Sequence, residues 1–214
     1  MSKIKKSMNL VKNFLQTINE FPNAEWNDCL SSGQIDSKIW LIEELEKIDL
    51  DLGKIFLLAG WYGTLARFMF NSDLKFEFIR SFDIDDSCHE IAETLNRPIV
   101  TDGWKFKATT YDIMNINYPL SYETLRRNGT QCILEETPNT IINTSCEHMD
   151  YSWYNNIPEN TLVILQSNNF KIPEHINYIK DINQMYEMYP MKLLLFSGEK
   201  ELQKYNRYML IGYK

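Results

Sequence analysis

From Gly53 onward the chain alternates short, continuous apolar runs with segments of helical spacing, and this alternation narrows its fold more than any other feature. KIFLLA, starting at Lys54, is apolar without a break, as a strand buried on both faces must be. WYGTLARFMF then has helical spacing, and FEFIRSFDID reads as a second strand ending in acids. SCHEIAETLN is expected to be a helix stopped near Arg97-Pro98, with Asp86 as its N-cap. WKFKATTYD reads as a third strand, SYETLRR as a short helix, TIINTS as a fourth strand and TLVILQS as a fifth. INQMYEMY is helical, and MKLLLFS and RYMLIGY close the chain as two strands joined by GEKELQKYN, a connection short enough for an antiparallel return. Strands that alternate with helices pair in parallel, with the helices as crossovers. The expected architecture is therefore α/β, with a seven-stranded, mostly parallel sheet and an antiparallel C-terminal edge.

Residues 1–52 are expected to form a separate helical cap, and 53–214 the sheet domain. A first helical stretch from Ser2 places Met8, Leu10, Val11, Phe14, Leu15 and Ile18 on one face. FPNAEWNDCLSSG reads as a loop. A second helix, IWLIEELEKI, follows, with Asp36 or Ser37 expected as its N-cap.

Charge and cysteine usage remove several function classes. The net charge of −7 opposes a nucleic-acid substrate, because a duplex binder needs a basic surface to displace counterions. A small molecule is the expected partner. None of the four cysteines forms a Cys-x-x-Cys pair, so a structural zinc site has no support, and no metal is assigned. No apolar run reaches membrane-spanning length, and the basic, amphipathic start lacks the apolar core of a secretion signal. A cytoplasmic location with free thiols is the expectation.

In an open parallel sheet, ligands bind beyond the carboxyl ends of the strands. After the first strand come Ala59, Gly60, Trp61, Tyr62 and Gly63, a turn in which glycine allows close approach of a ligand to the main chain. After the second comes Asp83, placed to accept both hydroxyls of a ribose, followed by Ile84. After the third come Asp112, suited to an exocyclic amine, and Ile113. After the fourth come Asn143, Cys146, Glu147 and His148. His148 titrates near neutrality and suits a general base. Glu147 is placed to orient it, to bind a substrate cation or to help hold a metal. Cys146 has no partner that would stabilise a thiolate. After the fifth come Gln166 and Asn168, amides suited to a polar substrate, with His175 and Asn177 shortly beyond. Each feature also has a plainer structural use, as a turn, a helix cap or a satisfied buried polar group.

Taken together, LLAGWYGTLARF, SFDIDDSCHEIAETLN, ATTYDIMN and TIINTSCEHM resemble the class I S-adenosylmethionine-dependent methyltransferase family, over about Lys54 to Lys214. The resemblance implies a Rossmann-like fold and S-adenosyl-L-methionine as cofactor, bound by Ala59, Gly60, Trp61, Tyr62, Gly63, Asp83, Ile84, Asp112, Ile113 and Asn143. Asp83 matches the family's ribose acid and Asp112 its adenine contact. The implied activity is in-line methyl transfer to a small polar molecule, with His148, Glu147 and Asn143 as catalytic residues. Gln34 and Lys38 from the cap, with Cys146, Gln166 and Asn168, are the expected substrate contacts. Trp26 and Ser37 also come within reach, although Trp26 and Trp40 suit packing of the cap onto the sheet. The family shows an acid near the end of its first strand and three alternating glycines after it. Here Leu57 and Leu58 stand near the acid's place, and Ala59 and Trp61 fall on two of the glycine positions. A differently shaped turn is expected, with an indole beside the cofactor. This departure leaves two other uses of the fold open: a different transfer or cleavage of the same cofactor, or binding without catalysis.

Overall fold

A computed structural model describes residues 3–126 and 128–214. Before the sheet come α1 (Lys3–Glu20), the single turn α2 (Trp26–Cys29) and α3 (Ser32–Ile48). The sheet region then runs β1 (Lys54–Leu58), α4 (Thr64–Met69), β2 (Phe78–Asp83), α5 (Asp86–Leu95), α6 (Arg97–Val100), β3 (Phe106–Thr110), β4 (Leu120–Leu125), β5 (Gln131–Glu136), β6 (Thr140–Asn143), β7 (Leu162–Asn168), α7 (Ile182–Met188), β8 (Leu193–Glu201) and β9 (Asn206–Tyr213).

Seven strands form one sheet in the order β3-β2-β1-β6-β7-β9-β8. The pairs from β3 to β7 are parallel, whereas β9 runs antiparallel to both β7 and β8. The C-terminal hairpin thus supplies the antiparallel edge: its returning strand β9 takes the inner place and β8 the rim. Strand order reverses between β1 and β6, which puts a crevice at their carboxyl ends.

Both faces of the sheet are covered. On one, Trp40, Leu41, Ile42 and Leu45 of α3 pack with Ile55 and Leu57 of β1, Ile142 of β6 and Met209 of β9. On the other, Trp153, Tyr154, Met185 and Tyr189 pack with Phe56, Ile141, Val163 and Leu210. Helix α3 is therefore a wall of the sheet core as well as part of the N-terminal segment, and Gln166 Nε2 on β7 donates to its Ser37 carbonyl at 3.0 Å.

Several local expectations are corrected. Helix α3 starts earlier than Asp36 or Ser37: Ser31 is the N-cap and accepts from the Gln34 N–H, because its hydroxyl reaches the first free amides of the helix. Asp85, not Asp86, caps α5 and accepts from the Ser87 N–H. The segment read as a loop between the first two helices contains the turn α2. SYETLRR is no helix. Its first residues belong to β4, which pairs with β5 in a separate two-stranded sheet, and Arg127 lies outside the described residues. Leu120, Tyr122 and Thr124 alternate inward, the two-residue period of a strand packed on one face. The buried Arg80 of β2 forms an ion pair with Glu136 of β5 at 2.9 Å, and the Tyr122 hydroxyl donates to the same carboxylate at 2.7 Å, which fastens this hairpin to the main sheet. Ser2, where the first helix was expected to start, is also outside the described residues.

Candidate active site

A cavity of about 1170 Å3 opens at the carboxyl ends of β1, β2, β3 and β6. Its floor and walls come from the turn after β1 (Ala59–Tyr62), the tip of β2 (Asp83, Ile84), the residues after β3 (Asp112–Met114) and the segment after β6. The N-terminal helices and their connection, together with residues beyond β7, close it from above.

The turn after β1 is shaped by its backbone. Ala59, Trp61 and Gly63 have φ of 49°, 48° and 67°. These are the three positions at which alternating glycines were expected, and all three keep the left-handed conformation that glycine favours although only one is glycine. At Gly63 a methyl group would stand 2.8 Å from Asn96 Nδ2 and 3.1 Å from Phe106. The Trp61 indole lines the cavity and stacks on Tyr62, with ring centroids 4.7 Å apart.

Asp83 stands at the tip of β2. One carboxylate oxygen accepts from the Trp61 N–H at 2.7 Å and the other from the Asp85 N–H at 3.1 Å. Each oxygen retains a lone pair directed away from these amides. Burial pushes the Asp83 carboxyl above the ordinary carboxylate range, against the pull of those N–H groups. Asp112 caps a short turn by accepting from the Met114 N–H at 3.0 Å, and Ile84 and Ile113 set apolar surface beside it.

Electrostatically the cavity is acidic. Glu25, Asp28, Asp83, Asp112, Asp150 and Glu174 line it, against Lys38 as the single lysine or arginine among the lining residues. Lys38 is buried, and its ammonium donates to the Gln34 side chain and main-chain carbonyl. Removal from water lowers its pKa to about 8.

Below the cavity lies a buried ion pair. Glu147 and Arg207 are 3% and 4% exposed, and Arg207 Nη1 donates to Glu147 Oε1 at 2.7 Å. The same oxygen accepts from Asn168, and Arg207 also donates to the Thr144 carbonyl. His148 lines the cavity above this pair, its ring edge-on to His175 at 4.6 Å. Partial desolvation at the cavity wall lowers the pKa of His148, which is otherwise exposed, and outweighs the nearby Glu147 carboxylate.

No family model matches the sequence, and no curated protein matches it. Solved structures do match. Magnesium protoporphyrin IX methyltransferase (ChlM) from Synechocystis PCC 6803, solved with bound SAH, superposes with a TM-score of 0.61 over 95% of this chain and 94% of its own, at 10% identity. The N-methyltransferase NodS from Bradyrhizobium japonicum WM9 gives 0.58 over 87% and 98%, at 7% identity. The small RNA methyltransferase HEN1 gives 0.58 over 83% of this chain and 25% of its own, at 13% identity. The chain has the class I S-adenosylmethionine-dependent methyltransferase fold.

Within this methyltransferase fold the residues singled out in the sequence divide into two groups. Ala59, Gly60, Trp61, Tyr62, Asp83, Ile84, Asp112, Ile113, Gln34, Lys38 and His148 all line one cavity. Gly63, Asn143, Cys146, Glu147, Gln166 and Asn168 do not. Asn143 folds under the turn after β6, where its side-chain oxygen accepts from the Ser145 N–H at 2.9 Å. Cys146 is fully buried, which pushes its thiol pKa up, away from nucleophilic use. Gln166 is committed to α3, and Asn168 to Glu147. Sequence reasoning did not single out Glu25, Asp28, Asp150, Glu174 and Arg207. Arg207 alone carried a signal, as a lone cation at the head of an otherwise apolar strand.

Proposed function

We propose that this chain is an S-adenosylmethionine-dependent methyltransferase acting on a small polar molecule. The observation that carries the proposal is Asp83, a carboxylate held by two backbone N–H groups at the tip of β2, in the wall of a large cavity at the strand-order switch point.

The residues present fit the cofactor. Asp83 has free lone pairs for the two ribose hydroxyls, Asp112 can accept from the adenine amine, and Ile84, Ile113 and Met114 offer apolar surface to the base. Strand β1 ends in leucines, but Glu25 and Asp28 line the same cavity from the N-terminal segment and supply carboxylates for an ammonium group. Six acids against one lysine favour a ligand that carries both an ammonium and a sulfonium. When bound, S-adenosylmethionine supplies a methyl group on a sulfonium, open to in-line displacement.

The protein's contribution is placement and exclusion of water. Trp61 and Tyr62, stacked on the turn, and Trp26, packed on Tyr62 at 5.4 Å, form a dry wall. Gln34 and Lys38 offer polar groups to the acceptor. In the metal-free chain a ring nitrogen of His148 takes the acceptor's proton; its lowered pKa leaves the imidazole neutral and so free to accept it. Glu147, Asn143 and Asn168 act from below by fixing the segment that carries His148. An acidic cavity in a chain of net charge −7 repels a phosphate backbone and favours a small acceptor over RNA.

Calorimetry with S-adenosylhomocysteine tests the proposal. The native chain is expected to bind it, and Asp83→Ala to weaken binding about 30–100-fold, the loss of about 2–3 kcal/mol in hydrogen bonds to a charged group. Equal affinity in both proteins overturns the cofactor placement. Product analysis checks the bond broken: S-adenosylhomocysteine marks methyl transfer, and methylthioadenosine marks another reaction of the same cofactor.

A further inference from the structure

Three metal-ligating side chains meet at the cavity's edge. One donor atom from each of Glu147, His148 and His175 lies within 4.8 Å of the others. We propose that these three residues bind one divalent transition-metal ion, with zinc the best fit, and leave an open coordination position toward the cavity.

The unused atoms point to it. Glu147 Oε1 is taken by Arg207 and Asn168, but Oε2 is buried with no hydrogen-bond partner. A buried carboxylate oxygen left without a hydrogen-bond partner is costly, and a metal ion bound to it removes that cost. One histidine is held by one ring nitrogen: His175 Nδ1 lies 2.7 Å from the Phe170 carbonyl, which accepts its proton. That bond sets the tautomer so that Nε2 of His175 presents its lone pair, as in metal-bound histidines. Two imidazoles and one carboxylate suit zinc or a similar ion better than magnesium or calcium, which prefer oxygen donors.

Tetrahedral donors around zinc sit about 3.3 Å apart, from bonds of about 2.0–2.1 Å. The present spacing is wider by at most about 1.5 Å, within reach of side-chain rotation by His148, which is exposed at the cavity wall. Three protein ligands and one open position form a site of the catalytic kind rather than the closed structural kind. An acceptor hydroxyl or amine bound there would be acidified by the ion and lose its proton to cavity water, while His148 serves as ligand instead of base. That use rests on the methyltransferase proposal; the metal site itself does not.

The test is titration of metal-stripped full-length protein with Zn2+ by calorimetry and with Co2+ by visible absorption. Binding of one ion per chain is expected, with intense Co2+ bands of a four- or five-coordinate site. His175 lies on a partly exposed loop, so His175→Ala is expected to keep the thermal unfolding midpoint while losing at least about 100-fold in affinity. Asn168→Ala, which removes a positioning residue, should weaken binding about 10–100-fold. No uptake by the native chain, or uptake unchanged in His175→Ala, overturns the proposal. S-adenosylhomocysteine binding measured on the same samples separates the two proposals: nucleoside without metal defeats this one alone, and metal without nucleoside defeats the other alone.

Discussion

Ala59 and Trp61 hold left-handed backbone without being glycine, and both face the cavity. An L residue there carries about 1 kcal/mol of strain. Ala59→Gly should therefore stabilise the fold by about 0.5–1 kcal/mol in urea unfolding, leaving the turn's shape intact. Gly63→Ala should destabilise it, because the added carbon meets Asn96 and Phe106 at a positive φ. Lys38 gives a pH signature. Its pKa is lowered to about 8 from an ordinary value of 10.5, so the folded chain holds this proton less tightly than the unfolded one. The resulting cost is complete below pH 8 and fades as the pH rises toward 10.5. Lys38→Met should raise the melting temperature at pH 7, and the gain should shrink as melts are repeated up to pH 10.5. The positions of Asp83 and Asp112 at strand tips were legible because short apolar runs mark where parallel strands end. Glu25 and Asp28 were not, because FPNAEWNDCL has no periodicity to show that it folds over those tips.

At the scale of elements, the buried pair Glu147–Arg207 ties β9 to the segment after β6. Removing one partner leaves an uncompensated charge. Arg207→Met should cost about 3–5 kcal/mol in chemical unfolding, and the double change Glu147→Leu with Arg207→Met should recover most of it. Additive losses would show that the pair is not coupled. The same juxtaposition explains a limit of sequence reading: Glu147 with Arg207, and His148 with His175, are neighbours only after the strands are ordered. The parallel core was legible from continuous apolar runs. The hairpin β4–β5 was misread because Tyr, Glu, Leu and Arg in SYETLRR suit a helix, whereas Leu120, Tyr122 and Thr124 carry the strand's two-residue period and Asn128-Gly129 lies in its turn. The outcome was decided by contacts with Glu136 and Arg80, distant in sequence.

For the whole molecule, the strand order, the crevice between β1 and β6 and an acidic cavity meet at one place, and it is there that we propose a nucleoside with a positively charged tail binds. The overall charge of −7 predicts that a short duplex RNA shows no saturable filter binding at about 0.15 M salt, where exposed charges are screened beyond about 8 Å. Among the described residues, no helix is long and apolar enough to cross a membrane. The most direct measurement is a crystal structure of the chain soaked with S-adenosylhomocysteine. Density is expected across the tips of β1, β2 and β3, with both ribose hydroxyls on the Asp83 carboxylate and the adenine between Ile84 and Ile113. An empty cavity at saturating ligand, or a nucleoside bound away from Asp83, would contradict this placement.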